Sequence, residues 1–297
     1  MRQAAIIRFL PDRRRLHLND GPIDLIVEAS GAGPAVESSY EAAARRFVTI
    51  LDELCAELPL LRTRRSATSS RPAGSIARVM AAAVAPFCGP YFITPMAAVA
   101  GAVAEAVLVA MTGAAKLDRA YVNNGGDIAL HLASAQRFTV GMVERPDRPS
   151  LFGTFEISAA MPIRGIATSG WRGRSFSLGI ADAVTVLAET ASKADAAATI
   201  IANAVDLPDH PAIVRVPARE IAPDSDLGDL LVTRGVGALS PHEIAQALAA
   251  AEDVAVQLRQ SGLIHGAAMS LQGNVRVVSP AGPRFALHRP RRSLIHA

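Results

Sequence analysis

Three short segments carry side chains whose types and spacing suit work on an anionic ligand. The first is Asn123-Asn124-Gly125-Gly126-Asp127. Its two glycines permit positive φ and expose backbone N–H groups that can form a concave nest for an anion. Asn124 could hydrogen-bond a base or ring edge. Asp127 could take a ribose hydroxyl, a metal or a backbone amide. The same residues also make an ordinary hairpin turn. The second is Ala167-Thr168-Ser169-Gly170-Trp171-Arg172-Gly173-Arg174. It offers two hydroxyls, a flexible backbone, and two guanidinium forks that match phosphate. Trp171, the one tryptophan of the chain, could stack on a planar ring; a polar turn with exposed arginines is the plainer account. The third is Ala194-Asp195-Ala196-Ala197-Ala198-Thr199. A carboxylate and a hydroxyl four residues apart share a helix face and could hold Mg²⁺, which takes few protein oxygens. Asp195 would equally suit the first turn of a helix on dipole grounds alone.

Other chemistries find no footing. There is no Walker loop, no nucleophile elbow and no GxGxxG. The seven histidines are scattered; His131 and His265 fall in expected strands, and none pairs with Cys or His at metal spacing. Cys55 and Cys88 form no CxxC pair and read as reduced core residues, which suits the cytoplasm. With 30 basic and 27 acidic residues the formal charge is +3, too mild to argue for nucleic acid. The basic residues are nearly all Arg, Lys occurring at 116 and 193 alone. Charge at the N-terminus interrupts any signal-peptide core.

The elements that must position these segments follow from the pattern. Half of the 297 residues are hydrophobic and 4% aromatic, so aliphatic side chains build the core. Short strands are expected at 4–9, 16–18 and 23–28. A helix should start at a capping box, Ser38 to Glu41, and end at Pro59. Residues 62–72, rich in Arg, Ser and Thr, read as a loop that could serve as a lid. Between Arg78 and Glu105 no charge occurs. Pro86, Gly89, Pro90 and Pro95 break this run, so it reads as a buried strand and turn before a buried helix rather than a membrane span. Thr94-Pro95 starts that helix, with small residues (Ala98, Gly101, Ala102) on one face that would admit a ligand or a second copy of the chain, making a homodimer. Strands are expected at 119–123, 128–132, 137–143, 152–158 and 163–167. Residues 175–189 carry no clear signal. Further helices begin near Ser192 and at Ser240-Pro241, the latter stopping at Gly262, before a hairpin turning at Gly273-Asn274. Strands and helices do not alternate regularly, which points to an α+β fold in a single domain over residues 1–297, with a basic tail at about 283–297.

Taken together and in this order, the three segments resemble the ApbE-like superfamily of FAD:protein FMN transferases. Val122–Asp127 is similar to the family's Asn-x-Gly-Gly-Asp segment, Ala167–Gly170 to its Ala-Thr-Ser-Gly, and 194–199 to its Ala-Asp-Ala-x-Ala-Thr. Residues 94–105 resemble the branch labelled UPF0280. The resemblance covers roughly residues 1–280. It implies an antiparallel or mixed sheet packed with helices. It also implies a pocket for FAD, FMN or another phosphate-bearing ligand, formed by Asn123, Asn124, Gly125, Gly126, Asp127, Thr168, Ser169, Gly170, Arg172 and Arg174. Mg²⁺ would sit at Asp195 and Thr199, and a protein hydroxyl would be the acceptor. Two family features differ. Residues 174–183 stand where the transferases have a His-Ile-x-Asp-Pro-x-Thr-Gly segment, and 98–103 stand where they have a Lys. An enzyme of pterin-type cofactor metabolism and a non-catalytic ligand-binding protein are therefore the other expectations on the same scaffold.

Overall fold

A computed structural model describes residues 4–66, 68–143, 151–279 and 286–287. A nine-stranded sheet runs through it in the order β1-β2-β3-β4-β5-β8-β9-β12-β13. Its strands are β1 (Ile6–Phe9), β2 (Leu16–Asp20), β3 (Ile23–Ser30), β4 (Arg119–Asn124), β5 (Asp127–Leu132), β8 (Gly165–Ser169), β9 (Ala183–Ala188), β12 (Gly266–Leu271) and β13 (Asn274–Val278). Every neighbouring pair is antiparallel. Helices cover one face: α1 (Gly33–Ala56), the short α2 (Leu58–Leu61), α3 (Ser75–Val84), α4 (Val99–Ala114), α5 (Ala191–Ala204) and α7 (Pro241–Gln260). A small sheet in the order β14-β7-β6, from β6 (Arg137–Val143), β7 (Leu151–Ser158) and β14 (Ala286–Leu287), packs on the other face around Phe155, Ile157 and Met142. An excursion after α5 adds a two-stranded ribbon, β10 (Ile213–Pro217) with β11 (Leu231–Val236), and the one-turn α6 (Ala218–Ile221). This is the α+β arrangement expected from the sequence.

Local chemistry sets the boundaries. At α7 the Ser240 side chain accepts from Glu243 N while the Glu243 carboxylate accepts from Ser240 N, and Pro241 opens the helix. Thr94 caps the next segment through Met96 N, as expected. Its first turn, Pro95–Ala98, is a tighter 3₁₀ turn that then widens into α4. The stretch Pro95–Ala114 is long and apolar enough to cross a bilayer. In the fold Ala102, Val103, Ala104, Val107 and Met111 of this stretch are buried in the main core.

Several expectations are corrected. No capping box opens α1. That helix begins earlier, at Gly33-Pro34, and the Ser39 hydroxyl is buried inside it, donating to Val36 O. The expected strand after Arg78 is instead α3. The last hairpin turns at Gln272-Gly273, both with positive φ, one residue before the expected position. The small-residue face of α4 does not serve a second copy. A Cβ on Gly101 would run into the Ala191 carbonyl, so α5 takes that space.

Candidate functional site

The hairpin β4–β5 brings the first segment to one rim of a cavity of about 840 Å³. Gly125 and Gly126 form its two-residue turn, with φ +66 and +114, between the paired Asn124 and Asp127. The Asn123 side chain accepts from Gly126 N and fixes that turn. Asn124 is buried and donates to Ala100 O, so it ties the hairpin to α4. One side-chain N–H is thus engaged by the protein, while the residue still borders the cavity.

Strand β8 pairs with β5 and carries the second segment to the same rim, beside the first. Thr168 N donates to the Asp127 carboxylate at 3.1 Å, and the Thr168 and Thr185 hydroxyls lie 3.0 Å apart. Gly170 is pressed against the Asp182 carbonyl, 2.6 Å from where a Cβ would stand. The two arginines beyond it differ in role. Arg172 Nε donates to the buried Asp182 at 2.7 Å, and its guanidinium covers the Trp171 ring 4.2 Å from the centroid. Arg174 makes no ion pair with a carboxylate among the described residues. It lies over Gly125, where a side chain would displace it. Trp171 does not line the cavity, which corrects its expected role as a stacking platform; its face is taken by Arg172.

Helix α5 supplies the third segment. Thr190 caps it through Lys193 N, and the Glu105 carboxylate of α4 accepts from Ser192 N at 2.6 Å. A Cβ on Gly165 of β8 would meet the Thr190 carbonyl, just as one on Gly101 would meet that of Ala191. The start of α5 is thus clamped between α4 and β8, and Asp195 and Thr199 face the cavity. Asp195 accepts from Gly101 N at 3.0 Å.

All twelve residues singled out in the sequence therefore border one cavity. Two like charges meet in it. Burial pushes Asp127 up to about 7, against the opposing pull of the Thr168 N–H and Arg174. Burial raises Asp195 well above the carboxylate range, and the Asp127 charge raises it further, while backbone N–H groups of Gly101 and Ala100 oppose the shift. Such a pair keeps its protons to higher pH than an ordinary carboxylate does. Among the described residues no group of three or more His, Cys, Asp or Glu side chains gathers around a common point. A cation here would rest on two carboxylates and a hydroxyl, within the habit of Mg²⁺ but not of Zn²⁺.

Sequence reasoning missed the far wall. Val140, Gly141 and Met142 of β6, Phe176, and Asp226 with Leu227 from the excursion complete the cavity. Asp226 accepts from the Thr94 hydroxyl, which fixes the excursion to the start of the α4 segment. Nothing in the spacing around Asp226 marks it, because its partner lies far away in the chain.

A family model described as AbpE bacteria matches residues 7–277. The chain belongs to this family. Among curated relatives of this AbpE-family chain, a UPF0280 protein of Methanopyrus kandleri is 37% identical over 198 residues, 65% of this chain and 75% of that protein. One from Methanothermobacter thermautotrophicus is 44% identical over 121 residues, 39% of this chain and 44% of that protein. The ApbE-like, UPF0280 resemblance read from the motifs is borne out. The ApbE protein of Thermotoga maritima, a solved structure, superposes with a TM-score of 0.43 at 12% identity, covering 93% of this chain and 96% of that one. The Pseudomonas stutzeri flavinyl transferase ApbE gives 0.40 at 12%, covering 93% of each.

Proposed function

We propose that this single-domain chain is a Mg²⁺-dependent, cytoplasmic enzyme that binds a flavin nucleotide, FAD or FMN, or a ligand of the same anionic chemistry; with FAD as donor the pyrophosphate P–O bond breaks, AMP leaves, and the FMN phosphorus bonds the oxygen of a protein hydroxyl whose proton is released. The observation that carries this reading is the convergence of the three segments on one cavity with two buried carboxylates and an Arg174 that makes no ion pair among the described residues. Asp195 and Thr199, with Asp127 beside them, would hold the cation. Bound there, the metal would supply charge neutralisation for a pyrophosphate. The turn amides at Gly125 and Gly126 and the Arg174 guanidinium suit the phosphate oxygens. Arg172 acts by holding the loop through Asp182. The apolar wall of Met96, Val140, Met142 and Phe176 suits a planar ring. Both cysteines are free, which agrees with a reducing compartment.

The test is thermal melting with FAD and Mg²⁺, separately and together, on the wild type and Asp195→Asn. Stabilisation by the pair beyond the sum of each, lost in the variant, supports the reading. Absence of any FAD effect at saturating Mg²⁺ overturns it. A second reading is a binding protein without turnover, or an enzyme of pterin-type cofactor metabolism. It is favoured by the Gly101–Ala191 contact, which leaves no room at that position of the 98–103 segment for a lysine. Tight FAD binding without cleavage would select the binding protein, and preference for a pterin over FAD would select the other enzyme.

A further inference from the structure

Between Glu57 and Glu105 the chain has five arginines (62, 64, 65, 71 and 78) and no acidic residue. The remaining 250 residues hold 25 basic against 27 acidic side chains, so the net positive charge of the protein resides here. The fold ties Arg62, Arg64 and Arg65 to segments that border the cavity, and Arg71 and Arg78 follow them on the same charged stretch. Arg65 N donates to Ile93 O, and the Arg64 guanidinium sits 5.6 Å from the centroid of Phe92, immediately before Thr94 and the cavity-lining Met96. Burial pushes the Cys88 thiol up, and the charges of Arg65 and Arg64 oppose that shift. Arg62 alone finds a carboxylate, Asp224, at 2.8 Å, two residues before Asp226 at the cavity. Among the described residues Arg64, Arg65, Arg71 and Arg78 pair with none.

We propose that this patch docks an acidic segment of a partner protein beside the cavity mouth. Guanidinium forks match carboxylates two bonds at a time, and uncompensated charge of one sign selects its opposite. A nucleic-acid platform would need open aromatic faces, and the ring of Phe92 is covered by Arg64. A membrane surface would need apolar side chains among the cations, and of the large ones in this stretch only Val79 is exposed. The pocket reading enters at one point: if the cavity transfers a group to a protein, the docked segment belongs to that acceptor.

The experiment uses the full chain and a fluorescein-labelled peptide of about ten aspartates, read by anisotropy at about 20 mM and about 200 mM salt. Saturable binding at low salt is expected, weakened at least about tenfold by the paired change R64Q/R65Q and by R71E. Arg71 is exposed, so its variant keeps the test valid if the pair fails to fold. R45Q on α1 and D195N should bind like the wild type. Equal binding by the patch variants, no binding, or tighter competition by an oligonucleotide or by anionic vesicles overturns the proposal. Peptide binding with no FAD effect overturns the pocket reading alone.

Discussion

Asp127 and Asp195 bring two carboxylates into one partly enclosed space, and the energetic consequence can be worked out from their direction of shift. A carboxyl whose folded pKa lies above its unfolded value stabilises the fold while protonated. Stability from Asp127 is therefore lost as pH rises from about 4 through about 7. Asp127→Asn and Asp195→Asn keep an oxygen for Thr168 N and Gly101 N but remove the repulsion. Each should stabilise the metal-free protein by about 1–2 kcal/mol at pH 8 and change little at pH 4, as read by urea unfolding. Destabilisation at pH 8 would show that a counter-charge is already present. Asp182 matters through its contacts. It is buried between Arg172 Nε and Gln272 N, and Asp182→Ala should cost about 3 kcal/mol and change Trp171 emission as Arg172 leaves the ring. At this scale the sequence was informative for residue types and order, and all twelve residues border the cavity. It could not separate Arg172 from Arg174, because the partner that distinguishes them stands ten residues away across a strand start.

Helix α7 and strand β9 mark the two extremes of what pattern reveals about an element. The α7 signals are local: serine, proline and glutamate at fixed offsets close a reciprocal cap. Hydrogen bonds from Ser240 and His210 hold Glu243 down to about 2. Its contribution is present above the unfolded carboxylate pKa and is lost as pH falls toward 2. Ser240→Ala should cost about 1 kcal/mol by chemical denaturation, with the difference shrinking below about pH 4 as the unfolded chain protonates. Strand β9 is buried at all six positions, so no alternation betrays it. Helix α3 hid for a related reason: its run of alanines and aliphatics shows little polar face, although alanine itself favours helix. The β10–α6–β11 excursion went unread because its ribbon is short and half-exposed, with a register shift at Val214/Arg215.

Across the whole molecule, the nine-stranded sheet places β4–β5 and β8 side by side, and α4 with α5 behind them. Family membership and the α+β class were legible because the motifs report backbone requirements: turn glycines, a cap, a close helix–strand contact. The far wall of the cavity was not, since Val140 and Met142, Phe176, and Asp226 come from three places in the chain joined by tertiary packing alone.

The grip on the start of α5 by Gly101 and Gly165 reaches beyond packing. A helix held on two sides by backbone has no room to rock, so the face bearing Asp195 and Thr199 is a finished receptor rather than one assembled on contact. Association should then be a single kinetic phase whose rate climbs linearly with ligand concentration in stopped-flow mixing. A rate that levels off at high concentration would reveal a slow rearrangement, and with it a looser junction than these two glycines describe.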